Sequence, residues 1–201
     1  YECYGIDGMR ALDATVDYIR SKYPEIFLIA DAKRGDIGNT AKMYAKAFFE
    51  EMDFDAVTIA PYMGADSVTP FLEYKDKWAI VLALTSNASA YQFQNAQKDG
   101  KPLYQAVMEE MMEISTPDNM MFVVGATKAD KLQELRSFCP DNFFLVPGVG
   151  AQGGSAEEVI AHGSNDHGGL LINSSRAILF ADSTEDYAKV AAEVASRTAN
   201  L

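Results

Sequence analysis

Six short apolar runs punctuate the chain: Phe27–Lys33, Ala56–Ala60, Ala79–Leu84, Met121–Gly125, Phe143–Val146 and Leu170–Asn173. Each is rich in Val, Ile, Leu or Phe, the pattern of strands buried on both faces of a parallel sheet. Between them the spacing turns helical. Met9, Leu12, Val16 and Ile19 share one face, as do Ile37, Ala41, Tyr44, Ala45 and Phe48, and again Leu103, Val107, Met111 and Ile114. Ser155 is expected to cap a helix with Glu158 at the capping-box position, and Asp182 to begin the last helix. No Pro/Gly/Ser-rich linker interrupts the βα alternation, which predicts one domain over residues 1–201 built on one parallel sheet, open or closed.

Composition narrows the classes. With 201 residues and 48% hydrophobic content the chain can bury a core, and its net charge of −12 argues against a nucleic-acid or anionic-membrane surface. An anionic ligand must then be held by a local positive site within an acidic surround. Cys3 and Cys139 form no CxxC and suit a reducing cytosol better than a disulfide framework. No apolar run reaches membrane-spanning length and no signal peptide is visible. The opening Tyr1-Glu-Cys-Tyr-Gly lacks an initiator Met and leads directly into helical spacing, so a preceding segment is expected.

The stretch Phe27-Leu-Ile-Ala-Asp-Ala-Lys-Arg-Gly-Asp36 runs from a hydrophobic strand into two acids and two bases. Residues two apart in a strand share a face, so Asp31 and Lys33 should point the same way. Charges at the end of a buried strand are expensive unless paired, and are commonly placed there for chemistry. The structural alternative is an ion pair with Asp36 as a helix N-cap.

Two later turns carry a second signal. Pro147-Gly-Val-Gly-Ala-Gln-Gly-Gly154 follows the fifth apolar run and Ser174-Ser-Arg176 the sixth. Read literally, Gly148-x-Gly150-x-x-Gly153 is a dinucleotide fingerprint, with Arg176 placed for a 2′-phosphate. Too little βα structure follows it for a nucleotide-binding unit. In a (β/α)8 barrel the loops after strands seven and eight commonly form a phosphate site, and with two strands ahead of residue 1 these would be those loops. Glycine-freed amides could cradle phosphate oxygens while Arg176 supplies a bidentate fork. His162 and His167 read as solvated turn residues, and Tyr91 and Phe93 as part of a loop that could act as a lid. No HExxH, GxSxG, Walker loop or Cys/His cluster is present.

Five motifs in order, Asp31-Ala-Lys33-Arg-Gly-Asp36-Ile-Gly-Asn-Thr40, Ala60-Pro-Tyr-Met-Gly64, Thr85-Ser-Asn87, Val146-Pro-Gly-Val-Gly-Ala-Gln-Gly-Gly154 and Asn173-Ser-Ser-Arg176, resemble orotidine 5′-phosphate decarboxylase of the longer bacterial subgroup. The resemblance covers essentially the whole chain. It implies a TIM (β/α)8 barrel of which residues 1–201 supply strands three to eight. The first two strands, with a ribose-binding Asp and another active-site Lys, have no counterpart among these residues. It also implies conversion of orotidine 5′-phosphate to uridine 5′-phosphate and CO2 without cofactor or metal, in a cytoplasmic homodimer with shared active sites. Lys33, Asp31 and Asp36 would be catalytic, with Asp36 and Thr40 reaching into the neighbouring subunit's site. Ser86 would bind the pyrimidine, Gln152 and Arg176 the phosphate, and Thr40, Gly153 and Ser175 would also bind the substrate. The alternatives are a Mg-dependent sugar-phosphate decarboxylase or aldolase of the same barrel group, and a non-catalytic phosphate-ligand-binding fragment.

Overall fold

The computed structural model describes residues 1–125, 129–149 and 155–199. The chain divides into two compact units, Tyr1–Leu82 with Met111–Met120, and Ala83–Glu110 with Met121–Leu201. Along the chain run α1 (Gly5–Lys22), β1 (Ile29–Arg34), α2 (Gly38–Lys46), β2 (Ala56–Ile59), α3 (Thr69–Leu72), β3 (Trp78–Leu84), β4 (Gln97–Lys98), β5 (Lys101–Pro102) and α4 (Leu103–Glu113). Then follow β6 (Met120–Val124), α5 (Ala129–Phe138), β7 (Phe144–Pro147), α6 (Ala156–Gly163), β8 (Leu170–Asn173), α7 (Arg176–Leu179) and α8 (Tyr187–Ala199).

In the first unit β2 pairs in parallel with both β1 and β3, Ala56 opposite Trp78 and Ile59 opposite Val81. All four residues of β2 are buried, as a strand flanked on both edges and both faces requires. α2 buries Ala41 and Ala45 and runs on into a π-helical turn, Ala47–Glu51, that buries Phe48 and Phe49. Phe49 meets Phe71 edge-on at 6.1 Å between ring centroids. Arg20 near the end of α1 clamps the entry to β2, with Nη2 2.8 Å from Asp55 Oδ2 and Nε donating to the Asp53 carbonyl.

In the second unit β6, β7 and β8 pair in parallel, Phe122 opposite Phe144 and Phe144 opposite Leu170. Leu132 and Leu135 of α5 are fully buried. Beside them Arg136 makes no ion pair among the described residues. Its guanidinium donates to the carbonyls of Cys139, Pro140, Asn142, Gly163 and Gly169 and lies 4.0 Å from the Phe144 ring centroid. Backbone dipoles and an aromatic face thus replace water around a buried cation, tying the ends of α5 and α6 to the start of β8.

The expected strands are present within one or two residues. Other features differ. α4 buries Tyr104, Met108 and Met111, an adjoining stripe to the expected one; Ile114 lies beyond the helix and is exposed. Asp182 does not open the last helix, because its carboxylate accepts from the amide of Thr184 in a turn and α8 begins at Tyr187. His162 lies in the last turn of α6, while His167 is in an exposed turn. Ser155 caps α6 as expected, accepting from the Glu158 amide, but its hydroxyl pairs with the side chain of Glu157 rather than Glu158.

Candidate active site

β1 does not follow β2 regularly. Ala30 faces Val57 and Arg34 faces Ile59, so Asp31, Ala32 and Lys33 together oppose the single residue Thr58. Such a bulge re-aims side chains, and here Lys33 adopts a left-handed backbone, φ 49°. A non-glycine residue in that region carries strain that its surroundings must hold. Thr58 holds it: its Oγ1 accepts from the Lys33 amide at 2.9 Å and lies 3.1 Å from Asp31 Oδ1. The same carboxylate oxygen receives Lys33 Nζ at 2.5 Å. Asp31 and Lys33 are both exposed on one face, while Ala30 between β1 and the core is buried. Gly35 follows because a Cβ there would stand 3.0 Å from the Ala60 carbonyl oxygen.

Asp36 goes elsewhere. Its carboxylate accepts from the amide of Ile37, the residue that precedes α2, and no ion pair joins it to Lys33 among the described residues. It is neither the helix N-cap nor the second partner of Lys33 within this chain. Thr40 is exposed in the first turn of α2.

In the second unit, Ser86 leaves β3 half-buried beside the end of β6. Gly125 permits that approach, since a Cβ on it would fall 2.9 Å from the Ser86 backbone nitrogen, and its own amide donates to the Leu84 carbonyl. Gln94 folds the following loop back on Thr85, its Oε1 accepting from the Thr85 amide at 2.9 Å and its Nε2 donating to Thr85 Oγ1 at 2.7 Å. A cleft of about 470 Å³ opens there, lined by Ser86, Tyr91, Asn95, Tyr104 and Lys131 among others. Lys131 is held protonated more firmly than an ordinary lysine, chiefly by its hydrogen bond to Glu134. The loop also forms the two-residue hairpin of β4 and β5, which leaves Tyr91 and Phe93 exposed.

At the same, carboxyl end of the parallel strands β6, β7 and β8, Pro147 of β7 pairs with Asn173 of β8, so the turns after the two strands leave side by side. Gly148 takes φ 91°, a turn that glycine makes without strain. Asn173 Oδ1 accepts from Ser175 Oγ at 3.1 Å, and Ser175 precedes α7, which begins with Arg176. The Arg176 side chain is exposed and makes no ion pair or hydrogen bond among the described residues. Gln152 and Gly153, together with Gly150 and Gly154, lie outside the described residues.

The structure therefore brings Asp31 to Lys33, and sets the turn bearing Ser175 and Arg176 beside the one that starts at Gly148. Three residues with a hand in these sites escape sequence reasoning. Thr58 had a faint signal as the polar residue inside the apolar run Ala56-Val-Thr-Ile-Ala60. Gln94 and Gly125 had none, because their partners are set by loop closure and strand packing.

Residues 3–191 match the model of the orotidine 5′-phosphate decarboxylase / HUMPS family. The chain is 53% identical over 200 residues to the orotidine 5′-phosphate decarboxylase of Christiangramia forsetii, covering 100% of this chain and 74% of that protein. To the enzyme of the same name from Flavobacterium johnsoniae it is 54% identical over 195 residues, 97% of this chain and 71% of the relative. Among solved structures, Leishmania donovani OMP decarboxylase superposes with a TM-score of 0.84 at 34% identity, over 99% of this chain and 76% of that one. The Methanocaldococcus jannaschii orotidine 5′-monophosphate decarboxylase complexed with the inhibitor BMP shares the fold at 22% identity, with a TM-score of 0.71 over 90% of this chain and 77% of that one. The α/β-barrel fold expected from the sequence is the fold of these neighbours.

Proposed function

We propose roles for these residues on the premise that the chain belongs to the orotidine 5′-phosphate decarboxylase / HUMPS family. The reaction is decarboxylation of orotidine 5′-phosphate to uridine 5′-phosphate and CO2, a carboxy-lyase step of pyrimidine biosynthesis. Its difficulty is electronic. The bond from the pyrimidine ring to the carboxylate breaks, CO2 departs without the bonding pair, and that pair remains on a ring carbon with no conjugated acceptor. A preorganised cation and a proton must meet it there.

The observation that carries the assignment is the Lys33 ammonium against the Asp31 carboxylate on a bulged strand end, both exposed. Lys33 stabilises the developing carbanion and then transfers its proton to the carbon, so one residue supplies both charge and proton. Asp31 stands beside the departing carboxylate. Two like charges about 4 Å apart at an effective dielectric near 20 repel by about 4 kcal/mol. That is about three decades of rate, against the roughly 8–23 kcal/mol by which enzymes lower barriers. Repulsion by Asp31 thus contributes, and stabilisation by Lys33 contributes more. Ser86 is assigned to the pyrimidine, Gly153 and Ser175 to substrate binding, and Gln152 and Arg176 to the phosphate. Binding energy from that remote group positions the reacting end.

The same reading takes residues 1–201 as one barrel domain, supported by a single family match from residue 3 to 191. It places the chain in the longer bacterial subgroup, as its motifs and its bacterial relatives suggest. It makes the enzyme a cytoplasmic homodimer in which Asp36 and Thr40 serve the neighbouring site. That fits Asp36 turning away from Lys33 within its own chain. The test is turnover of orotidine 5′-phosphate by the purified protein with and without a chelator. Turnover unaffected by chelator is expected. Absence of turnover with addition of Mg restoring action on a sugar phosphate would replace this reading with the aldolase-type alternative.

A further inference from the structure

We infer that Thr58 is the positioning residue of this site, fixing the backbone and the carboxylate from which Lys33 and Asp31 act; the inference rests on the catalytic reading of that pair. Thr58 is fully buried, and buried polar residues among those described are few: Thr58, Ser67, Arg136 and Asn142. Ser67 bonds within its own turn, to the Gly64 carbonyl, and Arg136 and Asn142 belong to the carbonyl cage beneath β7 and β8. Thr58 alone directs its polar atom at the reacting pair.

The bulge creates the need for it. With three residues of β1 opposite one of β2, the Lys33 amide has lost its regular ladder partner, and leaving an amide unpaired at this part-buried place is costly. Thr58 Oγ1 accepts from that amide and has one proton left to donate. Asp31 Oδ1 at 3.1 Å takes it in preference to the Ala30 carbonyl at 3.5 Å, being nearer and charged. Asp31 Oδ1 is then fixed from two sides, by the hydroxyl and by Lys33 Nζ. A single hydroxyl thereby sets both the left-handed backbone of Lys33 and the rotation of its counter-ion. Threonine suits this better than serine, because branching at Cβ restricts χ1 and the methyl fills the core. Proton transfer demands placement within fractions of an ångström, which is what such a tie supplies.

Thr58→Val keeps shape and volume and removes both hydrogen bonds; Thr58→Ser keeps the hydroxyl and loses the methyl. Positioning and packing roles predict opposite orders. If Thr58 positions, kcat falls about 10- to 100-fold in Thr58→Val while uridine 5′-phosphate affinity changes less than twofold, and Thr58→Ser recovers most of the rate. Thr58→Val should also cost little more when Asp31→Asn is already present, because the partner is gone. If Thr58 only packs, Val outperforms Ser and the two substitutions multiply, which overturns the inference. Circular dichroism melts establish folding, and should Thr58→Val fail to fold, Ser against Ala gives the same comparison. Lys33→Ala run in parallel separates the two readings. An active Lys33→Ala enzyme removes the catalytic assignment itself, whereas an inactive one beside a fully active Thr58→Val removes only the role of Thr58.

Discussion

Lys33 Nζ lies 2.5 Å from Asp31 Oδ1, and the contact is made by residues on one face of a strand that is locally irregular, with Lys33 at φ 49°. Removing the ammonium should abolish decarboxylation in Lys33→Ala, by three decades or more, while the fold survives because the side chain is about half exposed. Circular dichroism checks the fold and single-turnover assay the chemistry. A folded variant retaining more than a few per cent of turnover would exclude Lys33 as the proton donor.

Arg176 is exposed and unpaired among the described residues, next to the turn that starts at Gly148. Arg176→Ala should weaken binding of uridine 5′-phosphate at least 10-fold, the scale of a charge-assisted bidentate contact, and barely change the weaker binding of uridine. Calorimetry with both ligands reads the difference. Equal losses for the two would count against phosphate binding, and measurable NADPH binding would point to the dinucleotide reading of Gly148-x-Gly150-x-x-Gly153.

Gln94 predicts the reverse pattern. Its two hydrogen bonds to Thr85 hold the loop next to Ser86, and each is worth about 1 kcal/mol. Gln94→Ala should weaken uridine and uridine 5′-phosphate by the same factor, about 10-fold, and speed proteolytic cutting near the exposed Tyr91 and Phe93. A loss confined to the phosphorylated ligand would contradict this.

Complementation tests the sharing of sites between subunits. Lys33→Ala and Asp36→Ala should each be nearly inactive. In a mixed dimer one site carries both defects and the other none, so random exchange of equal amounts restores roughly a quarter of wild-type activity. If both residues serve their own chain's site, exchange restores nothing.

Cys139 gives a pH prediction. Burial pushes its thiol up to about 11, from an ordinary value of 9.0, against a smaller opposing pull from Arg136. Between those values the unfolded chain has lost the proton that the folded chain keeps, so stability falls as pH rises. The contribution is complete below about pH 8.5 and is lost on approaching pH 11, on the order of 2 kcal/mol in all. Urea melts of wild type against Cys139→Ala should converge across that window. Cys3, exposed, should react with a thiol reagent at pH 8 while Cys139 reacts only on unfolding.

The sequence by itself determined the order of the six main strands and, within one or two residues, their spans, because each is marked by a short run rich in Val, Ile, Leu, Phe or Ala between helical patterns. It predicted that Asp31 and Lys33 would point the same way, and the two do meet, although across a bulge rather than by regular alternation. It placed Ser155 at the start of α6, a local hydrogen bond written within four residues. Tertiary structure decided what depends on register. The bulge that sets three residues of β1 against Thr58 arises from two segments about 25 residues apart, and nothing within either run encodes it. The left-handed Lys33 follows from that bulge rather than from any residue preference, and so does the use of Thr58 as its tie. Asp36 likewise looked from spacing like a helix N-cap, yet its carboxylate accepts from the amide of Ile37, and Ile37 is the residue that precedes α2. Short-range rules see neighbours along the chain; the direction of a charged side chain past the end of a strand is set by what the other strands leave unpaired.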